Sequence, residues 1–105
     1  MNILFICSRN KWRSLTAETI YRDSQEHVVR SAGTSPSARV KVTENMVAWA
    51  DIIFCMEDKH KEILKQKFPV VTRDLQMEVL DIPDEFKYMD EELIEDIEMA
   101  VGKYL

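Results

Sequence analysis

Four consecutive apolar residues, Ile3-Leu4-Phe5-Ile6, deliver Cys7 into the polar, cationic segment Ser8-Arg9-Asn10-Lys11-Trp12-Arg13-Ser14. A short, continuously apolar run rich in β-branched and aromatic residues is what a strand buried on both faces requires. The stretch Ser14-Leu15-Thr16-Ala17-Glu18-Thr19-Ile20-Tyr21 reads as the opening of a helix. A buried strand that runs through one short loop into a helix restricts the chain to an α/β architecture.

The loop between them has its own chemistry. Backbone N–H groups at a helix start have no intrahelical partners, and with the helix dipole they form an anion site. Thiols at helix N-termini and beside Arg or Lys ionise more readily than free cysteine, and the thiolate is the nucleophilic form. Cys7 is therefore the candidate nucleophile. Arg13, six residues on, supplies a planar fork that can grip two oxygens of a phosphoryl group and stabilise charge developing in a transition state. Ser14 is placed to donate its hydroxyl to the sulfur when it leaves in a second step, and Ser8, Arg9, Asn10, Lys11 and Trp12 complete the expected substrate-binding loop. A loop this polar and cationic is poorly suited to plain packing.

Strand and helix signals alternate along the rest of the chain. Strands are expected at 2–6, 28–32, 51–56 and 78–81, and helices at about 14–25, 43–49, 58–68 and 91–103. Alternation of this kind predicts a parallel sheet with right-handed crossovers. Thr43, Asp58 and Asp90 read as N-caps, and Pro69 ends the helix before it. Ser35-Pro36-Ser37-Ala38 reads as a turn. Gly33 and Gly102 are the only glycines, so a glycine-rich nucleotide motif is absent.

Length and composition set the limits. With 105 residues, 46% hydrophobic and 31% charged, the chain is expected to form one domain, residues 1–105, with one modest core. No apolar run approaches the ~20 residues of a membrane span, and the N-terminal run is too short for a signal peptide. A cytoplasmic location and no membrane partner are expected. Residues 1–73 carry a balance of +4 and residues 74–105 one of −9. A basic first portion suits an anionic substrate, whereas the overall charge of −5 argues against nucleic acid as a partner. The acids from Asp90 to Glu98 read as the first turn and solvated face of a helix.

Cys-x5-Arg-Ser behind an N-terminal strand resembles the low-molecular-weight protein tyrosine phosphatases. The resemblance continues in Asn10, which in that family braces the phosphate loop, and in Ala17-Glu18, Ser31-Ala32-Gly33-Thr34-Ser35 and Ala50-Asp51-Ile52-Ile53-Phe54-Cys55-Met56-Glu57. Near the C-terminus, Ile82-Pro83-Asp84 resembles the family's general-acid loop. The resemblance implies a three-layer sandwich whose four-stranded parallel sheet runs in the order 2-1-3-4, with helices on both faces. It implies a cofactor-free, metal-free phosphomonoesterase acting through a thiophosphate on Cys7, with Arg13 as the phosphoryl clamp and Asp84 as the general acid. The implied partner is a phosphotyrosine protein or a small aryl or alkyl phosphate. This chain differs from the family at Arg9, usually Gly, at Trp12, often Cys, at Leu15, commonly Pro, and at Glu85, which follows Asp84 in place of Pro. It is also a short member, with little chain between Ser35 and Thr43 where the family carries a substrate-rim loop.

Other assignments remain open on sequence. Asp81 and Asp90 compete with Asp84 for the acid. His27 and His60 lie among charged residues and read as surface groups, and they do not form a metal set with the two cysteines. Cys55 reads as a buried structural thiol. Trp12 fits either a pocket rim or a core cover, and Met46, Trp49, Phe54, Met56 and Met77 read as core. A non-catalytic phosphate- or phosphopeptide-binding module is one alternative. A phosphocysteine carrier like the sugar phosphotransferase IIB proteins is another, though such a carrier needs neither Arg13 nor Asp84. Arsenate reduction recruits further cysteines, and only Cys55 is available.

Overall fold

Alternation of inward-pointing apolar residues along two central strands organises the protein. A computed structural model describes residues 1–105, with β1 at Asn2–Cys7, α1 at Arg13–Tyr21, β2 at Val28–Gly33, α2 at Glu44–Trp49, β3 at Ile52–Cys55, α3 at Asp58–Lys67, β4 at Gln76–Val79 and α4 at Glu91–Val101. The strands form one sheet in the order β2-β1-β3-β4. All three pairings are parallel, as the expected fold class requires.

Successive residues of a strand point to opposite faces, and here both faces are covered. Ile3, Phe5 and Cys7 of β1 join Ile52 and Phe54 of β3 against Ala17 of α1 and Leu93, Ile97 and Val101 of α4. Leu4 and Ile6 join Ile53 and Cys55 on the other face, against Val47 of α2 and Leu64 of α3. Phe5 stacks on Phe54 with ring centroids 5.5 Å apart. Each fully buried large aliphatic or aromatic side chain contributes about 1.5–3 kcal/mol, so these two layers carry most of the fold's stability.

Several boundaries and placements differ from expectation. β4 lies two residues earlier than 78–81, because the pairing runs Ile52↔Gln76 to Cys55↔Val79 and the chain turns at Asp81 with φ 56°. α1 stops at Tyr21, where the turn Arg22-Asp23 replaces the expected extension to residue 25. Asp58 is not the cap of α3. Glu57 is, in a reciprocal box in which its side chain accepts from the N–H of His60 while the His60 ring accepts from the N–H of Glu57. Thr43 and Asp90 do cap α2 and α4. Trp49 and Met46 pack at the edge of the core rather than inside it, with the Arg30 guanidinium 4.5 Å from the Trp49 ring centroid. No helix is long and apolar enough to cross a membrane.

Candidate active site

Cys7 is the last residue of β1, and the chain from Ser8 to Trp12 curls around its sulfur before α1 begins at Arg13. The carbonyls of this loop are tied outward to the β2 side. Thr34 donates its N–H to the Cys7 carbonyl at 3.0 Å, Ser35 to that of Ser8 at 2.9 Å, and Arg39 to that of Arg9 at 2.9 Å. The Arg39 Nε also donates to the Asn10 carbonyl at 3.1 Å. With the carbonyls so engaged, the N–H groups of Arg9, Lys11 and Trp12 have no backbone acceptor. This is an oriented set of donors suited to an anion. Gly33 lets β2 approach the loop: a Cβ there would stand 2.4 Å from the Ser8 carbonyl oxygen.

Behind the loop is a buried polar chain. Asn10 adopts φ 56°, a left-handed conformation that Asn tolerates better than most residues. Its side-chain NH2 donates to Ser14 Oγ and to Ser31 Oγ, both at 2.8 Å, and Ser31 in turn donates to Glu18 at 2.9 Å. Ser14 Oγ lies 2.9 Å from the Cys7 sulfur, and the Asn10 N–H donates to that sulfur at 3.2 Å. Asn10 and Ser14 are thus fully buried, bracing the sulfur from behind. Of the expected substrate-binding set, Ser8, Arg9, Lys11 and Trp12 line the open cleft with Cys7, Arg13 and Asp84.

Arg13 is 2% exposed and held from three sides. Its Nη1 donates to the Glu57 carboxylate and to the Ile82 carbonyl at 2.8 Å, and its Nε lies 3.7 Å from Asp84 Oδ1. The guanidinium is therefore fixed at the cleft floor. Burial pushes the Glu57 carboxyl up, but the Arg13 hydrogen bond and charge, with Lys59, outweigh that and hold it below the usual range. Asp84 is exposed and reaches the cleft, whereas Asp81 lies in a neighbouring cleft with Glu57, Asp58, Lys59 and Pro83. Asp90 is occupied as the cap of α4.

His60 is the residue whose placement differs most from expectation: it is fully buried. Its Nδ1 accepts the Glu57 N–H at 3.0 Å, so the neutral ring carries its proton on Nε2 and donates it to Ser8 Oγ, 2.9 Å away. The Ser8 hydroxyl is thereby left to donate elsewhere. Burial and the Arg13 charge push the His60 pKa down to about 4. Protonated at Nδ1, the ring would face the Glu57 N–H donor to donor. The unfolded chain therefore binds this proton more readily, and stability is lost as pH falls from about 6.5 towards 4. Urea unfolding at pH 7 and pH 5 is expected to differ by about 2 kcal/mol, with His60→Gln removing most of that difference. A pH dependence unchanged in the variant would contradict this.

The sequence carries one signal for this pair, Glu57-x-x-His60, the spacing of a helix-capping box. Cys55 lies on the opposite face of the sheet from Cys7, and burial pushes its pKa up to about 12, as befits an inert packing thiol. His27 is partly buried beside the chain's amino terminus. No group of three His, Cys, Asp or Glu residues is arranged to hold a metal.

The loop with its free N–H groups around the Cys7 sulfur, the buried Arg13 and the Asp84 carboxylate thus share one cleft, an arrangement suited to an oxyanion. Residues 2–49 match the family of low molecular weight phosphotyrosine protein phosphatases, so the resemblance read from the sequence holds. No curated protein matches the sequence significantly. Among solved structures the chain is similar to the tyrosine phosphatase Wzb from Escherichia coli K30 in complex with phosphate, at 21% identity and a TM-score of 0.77, covering 98% of this chain and 94% of that one. It is similar to the low molecular weight protein tyrosine phosphatase SP-PTP from Streptococcus pyogenes, at 16% identity and a TM-score of 0.77, covering 99% and 93%. It is also similar to the YwlE arginine phosphatase from Geobacillus stearothermophilus, at 20% identity and a TM-score of 0.72, covering 96% and 86%.

Proposed function

We propose that the protein is a cysteine-dependent phosphomonoesterase acting on aryl phosphates, with phosphotyrosine as the natural form of that group. The observation that carries this reading is the convergence of the Cys7 sulfur, the Arg13 guanidinium and the Asp84 carboxylate on one cleft. In the first step the Cys7 sulfur attacks phosphorus, the bond to the leaving oxygen breaks, and Asp84 gives that oxygen its proton. The loop N–H groups and Arg13 hold the equatorial oxygens as charge develops on them. In the second step Asp84 takes a proton from water, the water oxygen attacks the thiophosphate, and the sulfur leaves as a thiolate stabilised by the Ser14 hydroxyl and the Asn10 N–H.

Electrostatics favour an oxygen ester over phosphoarginine, the substrate class of the YwlE relative's name. Arg9 and Lys11 line the cleft, where they repel a guanidinium leaving group, while Trp12, 38% exposed, offers a face on which an aryl ring can stack.

The test is hydrolysis of an aryl phosphate in the presence of a metal chelator, with a phosphoarginine peptide in parallel. Asp84→Asn is expected to lower kcat by about 10²–10⁴-fold, the usual contribution of a general acid, and Asp81→Asn to lower it by less than about threefold. The reverse order would transfer the acid to Asp81. An unmodified protein that binds phosphate with no turnover would mark a binding module. A thiophosphate that forms but passes to an acceptor other than water would mark a carrier.

A further inference from the structure

Beside the Cys7 cleft is a second one, lined by Arg9, Lys11, Ser37 and Arg39. Arg9 and Lys11 are common to both, so the two clefts lie on either side of one loop wall. The three cations are exposed, and none of them forms an ion pair. A protein of net charge −5 thus concentrates three unneutralised cations next to a site already suited to one phosphate. The second cleft also has structure behind it. Arg39 is anchored by its N–H to the Arg9 carbonyl at 2.9 Å and by its Nε to the Asn10 carbonyl at 3.1 Å. Its terminal nitrogens form no hydrogen bond with the protein. Ser37, in the turn Ser35–Ala38, adds a hydroxyl.

The opposite side of the Cys7 cleft has the other sign. Asp84 stands at its mouth, and Glu57, Asp58 and Asp81 line the cleft beyond, with Lys59 as the single cation. The rim is therefore polarised across the phosphoryl site, basic towards Arg39 and acidic towards Asp81.

We propose that Arg9, Lys11 and Arg39 form a second anion subsite, and that the preferred substrate is a phosphopeptide with an acidic residue on the Arg39 side of its phosphoresidue. This rests on the phosphatase reading for its reaction but not for its binding. An extended peptide crossing the rim presents a neighbouring carboxylate, or a second phosphate, to the three cations as its phosphoryl group enters the first cleft. On the other side an acidic residue meets Asp81 and Asp58 and is disfavoured. Exposed ion pairs contribute about 0.2–1 kcal/mol each, so three together amount to roughly tenfold in kcat/KM or Kd.

The experiment compares four phosphotyrosine peptides of equal length: neutral, acidic on the N-terminal side, acidic on the C-terminal side, and acidic on both. kcat/KM is measured with the unmodified protein, and Kd with Cys7→Ser protein. One of the single-sided acidic peptides is expected to exceed the neutral one by about tenfold, and high salt to reduce the preference. Arg39→Gln is expected to lower the acidic-to-neutral ratio by about two- to threefold, whatever it does to the neutral peptide, Arg39→Lys to retain most of it, and joint replacement of Arg9, Lys11 and Arg39 by Gln to bring it close to one. A ratio near one in both kcat/KM and Kd with Arg39 present, or a ratio that Arg39→Gln leaves unchanged, overturns the subsite. A protein that hydrolyses none of the peptides and yet shows the ratio in Kd retains the subsite and loses the phosphatase reading.

Discussion

Cys7→Ser is expected to reduce aryl phosphate hydrolysis by about 10⁴-fold or more, the scale on which removal of a covalent nucleophile is felt, while leaving the fold intact. A serine oxygen can occupy the pocket made by Ser14 Oγ and the Asn10 N–H, but as a neutral hydroxyl without a neighbouring base it attacks phosphorus poorly. Rapid quenching with labelled substrate should show phosphate bound covalently to the unmodified protein, and a burst of leaving group wherever hydrolysis of the intermediate is slower than its formation. Turnover by Cys7→Ser within about tenfold of the unmodified enzyme would remove Cys7 from the reaction.

The second large effect concerns Arg13. Arg13→Lys keeps the charge but loses the fork, and one ammonium cannot serve the Glu57 carboxylate, the Ile82 carbonyl and two phosphoryl oxygens together. Its kcat/KM is expected to fall by about 10³-fold, comparable to loss of an oriented transition-state donor, with little change in urea stability. Arg13→Ala is expected to lose activity and also about 2 kcal/mol of stability, because the Ile82 carbonyl and the partly buried Glu57 are left without a donor. Stability lost without activity in either variant would make Arg13 a purely structural cation.

Both residues are legible in the sequence because their placement is local. An apolar run fixes β1, the helix signal fixes α1, and only five residues between Cys7 and Arg13 leave the loop little choice but to wrap on itself. The groups that hold Arg13 are not legible there. Glu57 and Ile82 meet it across 44 and 69 positions of sequence, and their meeting depends on how β3 and β4 end on the same rim. His60 departs from its expected surface position for a related reason. Its neighbours Lys59 and Lys61 give the segment a solvated character, while the turn of α3 that begins at Glu57 rotates the imidazole inward onto Ser8.

The displacement of β4 follows the same logic. The apolar pair Val79-Leu80 draws the expected strand towards residue 81, whereas the ladder with β3 selects Gln76–Val79 and leaves Leu80 and Ile82 buried in the core ahead of Asp84. The choice among the acids also belongs to tertiary structure. Asp81 turns with φ 56° into the neighbouring cleft, Asp90 is spent on a helix cap, and Asp84 alone of the three faces the Cys7 sulfur's cleft.

By itself, then, the sequence determined what short-range physics can determine: an α/β chain, its buried strands, and a cysteine and an arginine at the two ends of one short polar loop. The tertiary structure decided which carboxylate shares the Cys7 cleft, what clamps the arginine, and that Arg39 joins Arg9 and Lys11 in a second basic cleft. The physical reason is distance along the chain. Hydrogen bonds and apolar periodicity act within a few residues, but the groups that complete this site come from four separate segments and meet only because parallel strands end on one side of the sheet.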